Sequence, residues 1–252
     1  MNRSTNQSRR CVNVEILLAD MNDWTLNWMV HLAFGVWYVL VFVVGIGGNS
    51  AMIYTIIKRK RVRAVANVFL ISLAVSDMLL CVTAIPLAPV IFLAKQWYFG
   101  PFCCKLMPYC QALSVIVTHI SLCSIAIDRF RNICHPQKHH WNVTKSRVIT
   151  LSNWLFSAVV NVPYFLSHTV TSLNANNTTK ICGVFCGEYL WLSQEYKRVY
   201  GTLMLCLTFA APLSMQCYCF IRILIKVRRD MLVGAEVGPQ RLIAIQRKRR
   251  VM

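Results

Sequence analysis

Charged residues are scarce in this sequence, and acidic ones especially so. Asp and Glu number nine against 27 Lys and Arg, and charged residues make up only 14% of the 252-residue chain, whereas hydrophobic residues make up 56%. A soluble domain needs more polar surface than this, so the composition excludes an ordinary soluble protein. The apolar residues are concentrated in five runs: Trp28–Ile57, Ala64–Ala94 (interrupted only by Asp77), Leu106–Ile127, Val148–Thr179 and Val199–Ile221.

None of these runs alternates polar and apolar residues, which excludes the strands of a membrane barrel. Each run exceeds the roughly 20 residues that a helix needs to cross a bilayer core, and lipid admits only helices or closed barrels as spanning structures. We therefore predict an all-α membrane protein with five transmembrane helices in one domain. The predicted organisation is a tail at 1–27, helices and loops at 28–225, and a basic segment at 226–252.

The basic residues define the predicted orientation. Nineteen of the 27 Lys and Arg lie in three segments, Lys58–Arg63, Arg129–Arg147 and Arg222–Arg250. Because short cytoplasmic loops carry the excess of positive charge, these segments are expected inside and the N-terminus outside. The net charge of +18 then reflects topology and attraction to anionic inner-leaflet lipid, and it requires no nucleic-acid partner.

The first 27 residues are polar and lack the apolar core of a cleavable signal peptide, so the first helix is expected to direct insertion. Glycosylation acceptor tripeptides begin at Asn2, Asn6, Asn176 and Asn177, all on the predicted outer side. These positions agree with the predicted orientation. A further tripeptide, at Asn142, falls on the inner side and is expected to stay unmodified.

Histidine is also scarce. His135, His139 and His140 have the His-x-x-x-His-His spacing of a di-iron membrane enzyme, but such a centre needs several boxes of this kind and the whole chain has six histidines. We interpret the spacing as coincidence, so we expect neither an enzyme nor a metal centre. The chain also lacks an internal repeat, which disfavours a transporter.

Asp77 is the one acid that interrupts an apolar run, 13 residues from its start, or about 20 Å deep at the rise of an α-helix. A carboxylate at that depth costs roughly 2.5–3.5 kcal/mol, so it should face the bundle interior and meet polar partners or a cation. Asn49 and Thr118 are candidate partners at similar depth. A neutral, hydrogen-bonded structural aspartate is the alternative.

A charge pair, Asp128 and Arg129, directly follows the third apolar run. Neighbours on a helix project about 100° apart, so each can reach a different helix. By themselves the two residues are compatible with membrane anchoring, in which Arg129 reaches the headgroups. A switch that a ligand could bias is the second interpretation.

Cysteines and prolines mark the predicted outer side. The oxidising environment there favours disulfides, and a link from the third helix to the loop after the fourth would hold that loop over the bundle. Prolines kink lipid-embedded helices, so we expect them to open a cavity toward the outside. The cysteines are Cys11, Cys103, Cys104, Cys182 and Cys186, and the prolines are Pro86, Pro89, Pro163 and Pro212.

Seven landmarks resemble, in order, those of the rhodopsin-like (class A) G-protein-coupled receptors. They are "GN" at Gly48–Asn49, "LAVSD" at Leu73–Asp77, "WYFG" at Trp97–Gly100, Cys104, "DRF" at Asp128–Phe130, Trp154 and Pro212. Within that family the chain resembles peptide receptors of the neuropeptide Y and neuropeptide F type. Gln111 stands where amine receptors carry an aspartate, and "FCGEYLW" at Phe185–Trp191 resembles the second outer loop of the peptide receptors.

The resemblance implies a role for most of the residues singled out above. Cys104 would pair with Cys186, with Cys182 as the alternative partner. Gln111 and Glu188 would contact the peptide, with Gln111 on the floor of its pocket. Asp77, Asn49 and Thr118 would form part of an interior sodium site, the one cofactor expected. Asp128 would restrain Arg129 at rest, and a released Arg129 would help to receive the C-terminal helix of a heterotrimeric G protein.

The resemblance thus implies a neuropeptide receptor that crosses the plasma membrane several times. The sixth and seventh helices of the family are absent from this sequence, so we expect five helices of a seven-helix bundle and no signalling by this chain alone. In the alternative, a truncated receptor pairs with a full-length receptor, as a homo- or hetero-oligomer, and retains it inside the cell.

Overall fold

The computed structural model describes residues 12–13, 27–59, 64–137, 141–172 and 181–236. Within these ranges five helical segments are long and apolar enough to cross a membrane, which confirms the predicted all-α membrane fold. The first begins after Asn27, whose side chain accepts a hydrogen bond from the backbone N–H of Met29. The segments are Trp28–Lys58, Val65–Ala94, Gly100–Cys134, Val143–Ser167 and Gln194–Met231.

The described residues form eight α-helices and four short strands. The helices are α1 (Trp28–Lys58), α2 (Val65–Ala84), α3 (Leu87–Ala94), α4 (Gly100–Cys134), α5 (Val143–Val160), α6 (Val162–Ser167), α7 (Gln194–Leu205) and α8 (Ala211–Glu236). The strands are β1 (Val12–Asn13), β2 (His168–Thr171), β3 (Ile181–Cys182) and β4 (Phe185–Glu188). Helix α8 continues past residue 225, so the basic segment predicted from 226 begins as helix.

Three of the segments are interrupted next to prolines. A turn at Ile85–Pro86 separates α2 from α3, and Pro163 lies in the first turn of α6. A π-helical stretch, Cys206–Ala210, joins α7 to α8 just before Pro212. Proline lacks an N–H, and its ring displaces the carbonyl four residues earlier, which favours a kink, a break or a rewinding of the helix there. The interruptions coincide with prolines from which kinks were predicted.

The fourth apolar run does not stay helical over its whole described length. The helix ends at Ser167, and His168–Thr171 forms strand β2. Three consecutive β-branched residues, Thr169, Val170 and Thr171, favour an extended backbone. The strand gains backbone partners in β4, where Val170 pairs with Cys186 and His168 with Glu188 in antiparallel register.

Helix α4 lies at the centre of the bundle, where it packs against α2, α5 and α8. Its residues Ile116 and Val117 are almost fully buried, as is Phe69 of α2. Helix α1 contributes a single buried residue, Ile56, to the described structure. The bundle is therefore organised around α4, and α1 is peripheral.

A polar network joins the three helices α2, α4 and α5 inside the bundle. The indole N–H of Trp154 donates to Ser72 Oγ at 3.1 Å, and Ser72 Oγ lies 3.3 Å from Ser121 Oγ. Asn153 Nδ2 donates to Ser121 Oγ at 3.3 Å. Small polar residues let helices approach closely in lipid and form hydrogen bonds between them. These hydrogen bonds hold α2, α4 and α5 together in the middle of the bundle.

Candidate functional site

A disulfide between Cys104 of α4 and Cys186 of β4 holds the β2–β4 hairpin against one end of the bundle. The Cα atoms of the two residues lie 5.7 Å apart, and Cys104 is fully buried beside Leu87 and Trp97. Cys182 is itself disulfide-bonded, so the alternative pairing of Cys104 with Cys182 is excluded. We call this the disulfide end of the bundle, and the opposite end of α4 the Arg129 end.

Backbone contacts fix the loop before β4 as well. The N–H of Trp97 donates to the carbonyl of Val184 at 2.7 Å. Gly183 has a φ of +117°, and a Cβ added there would lie 2.7 Å from Oε1 of Gln96. Only glycine accommodates both this backbone conformation and this close approach. The hairpin is thus attached to the bundle at Cys104 and again next to Trp97.

A cavity of about 530 Å³ opens beneath the hairpin, and we call it the Gln111 cavity. Gln111 of α4 is part of its lining, and the side-chain Nε2 of this residue donates to the backbone carbonyl of Thr83 at 3.1 Å. This bond fixes the amide at the boundary between α2 and α4. The remaining lining residues are Ala84, Leu87, Ala88, Ile91, Lys95, Gln96, Trp97, Met107, Pro108, His168, Phe185 and Cys186.

Glu188, the second residue expected to contact a ligand, lines a different cavity of about 260 Å³, which we call the Glu188 cavity. Its carboxylate Oε2 lies 3.2 Å from Nζ of Lys197 and accepts a hydrogen bond from the indole N–H of Trp191 at 3.0 Å. His168, its partner across the hairpin, lines the Gln111 cavity instead. The structure therefore places Gln111 and Glu188 in separate cavities.

Sequence reasoning missed several residues that line the two cavities. His168 and Lys95 line the Gln111 cavity, and Tyr164 and Tyr200 line the Glu188 cavity. The tyrosines did carry a signal, because a hydroxyl inside an apolar run needs a hydrogen-bond partner. The Tyr200 hydroxyl donates to the backbone carbonyl of Val160 at 3.2 Å.

Asp77 lies next to one of its two expected partners. The Thr118 hydroxyl donates to Asp77 Oδ1 at 2.9 Å, and Ser76 Oγ lies 2.9 Å from Thr118 Oγ1. Asn49 instead donates from Nδ2 to the carbonyl of Gly45 in its own helix, at 2.9 Å. The structure thus groups Asp77, Thr118 and Ser76, whereas Asn49 is engaged within α1. A sodium ion at this position stays a prediction.

At the Arg129 end, Asp128 is buried and Arg129 is exposed. Asp128 Oδ2 accepts a hydrogen bond from Asn132 Nδ2 at 3.3 Å. Salt bridges between two described residues involve Lys197, Arg198 and Lys226, and none of these joins Asp128 to Arg129. Restraint of Arg129 by Asp128 at rest stays a prediction.

One helix connects the two ends. Helix α4 runs without interruption from Gly100 to Cys134 and carries Cys104, Gln111 and Arg129. Gln111 and Arg129 are 18 residues apart, which corresponds to about 27 Å at 1.5 Å per residue. A rigid element therefore links the Gln111 cavity to the exposed arginine. The glycosylation acceptors Asn2, Asn6, Asn176 and Asn177 lie outside the described residues.

The structure combines a bundle of apolar helices with a disulfide-held hairpin and an exposed arginine at the end of the central helix. The sequence matches the family described as "7 transmembrane receptor (rhodopsin family)" over residues 48–251. The chain belongs to this family and is a multi-pass membrane protein. The class A resemblance of the sequence is thereby confirmed.

Two curated relatives are neuropeptide receptors. The chain is 31% identical over 186 residues to "Neuropeptide receptor npr-1" of Caenorhabditis elegans, an alignment that covers 74% of this chain and 40% of the relative. It is 32% identical over 196 residues to "Neuropeptide Y receptor type 6" of Oryctolagus cuniculus, which covers 75% of this chain and 52% of the relative. The chain spans about half the length of these relatives.

Proposed function

We propose that this chain forms the ligand-binding part of a neuropeptide receptor that activates a heterotrimeric G protein. The observation that carries the proposal is the Gln111 cavity beneath a disulfide-held hairpin, in a chain whose curated relatives are named as neuropeptide receptors. A peptide segment would enter this cavity and contact Gln111 on its floor. No acidic side chain lines the described cavity, which disfavours an amine ligand.

The same geometry supports coupling to a partner on the opposite side. Arg129 is exposed at the far end of α4, where a G protein's C-terminal helix would meet it. The ring of Phe130 lies 6.0 Å from that of Tyr218, so this end of α4 packs against α8. We propose that peptide binding shifts the equilibrium between arrangements of α4 and its neighbours, which changes the access to Arg129.

The charge distribution supports an orientation with the disulfide end outside the cell. The basic segments Lys58–Arg63, Arg129–Arg147 and Arg222–Arg250 would then lie in the cytoplasm next to anionic lipid. The disulfides would face the oxidising side of the plasma membrane. Epitope tags placed at either terminus and detected in intact cells would test this orientation.

The test of ligand binding compares two glutamines on opposite sides of the membrane. Membranes from cells that express the chain are titrated with radiolabelled neuropeptide Y and with shorter C-terminally amidated peptides. Gln111→Ala is expected to weaken peptide binding by roughly ten-fold, since it removes one half-buried hydrogen-bonding side chain from the cavity. The control Gln137→Ala, an exposed residue near the Arg129 end, should bind as the unmodified chain does. Equal affinities of all three proteins would contradict the proposal.

The alternative from the sequence, in which the chain retains a full-length receptor by pairing with it, stays a prediction. Helices in lipid associate through packing and polar contacts, and many large apolar side chains of α1 are exposed in the bundle. Co-expression that leaves the surface level of the full-length receptor unchanged would contradict this alternative.

A further inference from the structure

The strand pair β1–β3 attaches the N-terminal tail to the segment that leads into the hairpin. Val12 and Asn13 pair in parallel with Ile181 and Cys182. Neighbouring strands lie about 4.8 Å apart, so the backbone of the tail is held directly beside Cys182. A two-stranded pair is marginal in water on its own. A pair this short therefore needs a further link to persist.

The cysteines of the chain supply a candidate for this link. Cys182 is disulfide-bonded, and the sequence holds 12 cysteines. Cys104 and Cys186 bond to each other. The free thiols among the described residues are Cys81, Cys103, Cys110, Cys123, Cys134, Cys206, Cys217 and Cys219. The one cysteine of the sequence that remains as a partner for Cys182 is Cys11.

The strand register supports the same partner independently. Cys11 lies outside the described residues, but it directly precedes β1 in the sequence. Asn13 lies opposite Cys182 in the parallel pair. Cys11 is two residues from Asn13, which is at most about 7 Å of extended chain. The pairing of the described residues therefore keeps Cys11 within reach of Cys182.

The point of attachment borders the Gln111 cavity. The carbonyl of Val184, two residues after Cys182, accepts a hydrogen bond from the N–H of Trp97 at 2.7 Å. Trp97 lines the cavity, and so does Phe185, three residues after Cys182. A tail that is held at β3 therefore lies beside the rim of this cavity, which a peptide ligand has to pass.

We propose that Cys11 and Cys182 form a second disulfide, which holds the N-terminal tail at the rim of the Gln111 cavity as part of the peptide-binding surface. The two thiols lose two protons and two electrons to a protein disulfide of the secretory pathway, which is reduced to a dithiol. The bond itself does not depend on the proposed function. Only its role in peptide binding rests on that function.

The first experiment tests whether the tail is covalently attached to the rest of the chain. An epitope tag is placed before Met1 and a thrombin site is inserted between Asp20 and Met21. Free thiols are blocked with N-ethylmaleimide, and membranes that contain the chain are then treated with thrombin. On a non-reducing gel the tag should stay with the large fragment, and dithiothreitol should release it. Cys11→Ser and Cys182→Ser should each release the tag without reductant.

The matched control is Cys103→Ser, which replaces a half-buried free thiol next to Cys104 and should keep the tag attached. Cys11→Ser changes none of the described residues, so it tests the bond even if Cys182→Ser does not fold. Release of the tag from the unmodified chain without reductant, its retention in Cys11→Ser, or its release from Cys103→Ser overturns the bond.

The second experiment uses the same cleaved membranes to test the role in binding. The unmodified chain keeps its severed tail, whereas Cys11→Ser loses it, and uncleaved Cys11→Ser measures the effect of the substitution alone. We expect radiolabelled neuropeptide Y to bind cleaved Cys11→Ser roughly ten-fold more weakly, the effect of losing one or two hydrogen bonds. Equal affinities of the two cleaved chains contradict the role of the tail in binding. If neither chain binds the peptide, the proposed function fails, and release of the tag still decides the bond.

Discussion

The two ends of α4 differ in how their predicted functional residues are held. At the disulfide end, Cys104 is buried and bonded to Cys186, and Gln111 is hydrogen-bonded to the carbonyl of Thr83. At the Arg129 end, Arg129 is exposed and the described structure gives it no salt bridge. One end is completed by contacts within the chain, whereas the other presents a cation to its surroundings.

This difference agrees with the two proposed functions, which are ligand binding at the disulfide end and coupling to a G protein at the Arg129 end. A cavity that discriminates between ligands needs fixed walls, since ordering them on binding would cost conformational entropy. A coupling residue must instead be reached by a separate protein, so exposure is an advantage. The polar network of Ser72, Ser121 and Trp154 lies between the two ends and connects α4 to α2 and α5.

The largest expected effect comes from breaking the disulfide end. Cys186→Ser removes a bond that closes a loop of 82 residues and should lower the free energy of unfolding by about 2–5 kcal/mol. Peptide binding should be lost with it, because the hairpin no longer covers the Gln111 cavity. The measurements are thermal unfolding in detergent and radioligand binding.

The control for this variant is Cys217→Ser, which replaces an exposed free cysteine of α8. It should leave both the unfolding temperature and peptide affinity unchanged. Full peptide binding by Cys186→Ser would show that the hairpin does not shape the ligand site. This result would contradict the proposed difference between the two ends of α4.

An intermediate effect is expected at Asp77, midway between the ends. If Na⁺ binds the carboxylate of Asp77, adding sodium stabilises the chain by about 2.7 kcal/mol at a hundred times the dissociation constant. Asp77→Asn can keep the hydrogen bond from Thr118 but loses the charge, so the sodium effect should disappear. The midpoint of thermal unfolding is compared in sodium and potassium chloride at equal ionic strength.

Asn49→Ala is the matched control for Asp77→Asn in the sodium experiment. Asn49 donates to the carbonyl of Gly45 and not to Asp77, so this variant should keep the sodium effect. A sodium effect that survives Asp77→Asn, or one that is absent from the unmodified chain, would contradict the ion site.

The smallest effect is expected in the middle of the bundle. Trp154→Phe removes the hydrogen bond to Ser72 and should cost about 1 kcal/mol of unfolding free energy. Its control, Trp37→Phe, changes a side chain that is 63% exposed and should shift stability by less than about 0.5 kcal/mol. Both variants should bind peptide normally, and a loss of affinity in Trp154→Phe would show that the network also shapes the ligand cavity.

The five transmembrane segments could be predicted because apolar run length reports directly on what a bilayer accepts. The same signal failed after Ser167, where Thr169–Thr171 is apolar enough to extend the run but pairs as a strand with β4. Hydrophobicity does not distinguish a lipid-embedded helix from a half-buried hairpin. The β-branched residues at this position were the available evidence.

The sequence also did not predict which cavity each side chain lines. Gln111 and Glu188 were both expected to contact the ligand, yet His168 and Glu188 are paired across the hairpin and line different cavities. Directly opposed residues of an antiparallel pair project from the same face, so strand pairing alone does not determine which cavity each side chain lines. Asn49 illustrates the same point on a helix, because similar depth did not bring it to Asp77.

The most direct test of the account is the position of the bound peptide. Phe185→p-benzoylphenylalanine places a photoreactive group in the Gln111 cavity, and Ile133→p-benzoylphenylalanine places one at the Arg129 end, where Ile133 is 37% exposed. We expect radiolabelled neuropeptide Y to crosslink at position 185, unlabelled peptide to prevent this crosslink, and position 133 to capture no peptide. Capture at position 133, or peptide binding with no capture at position 185, would contradict it.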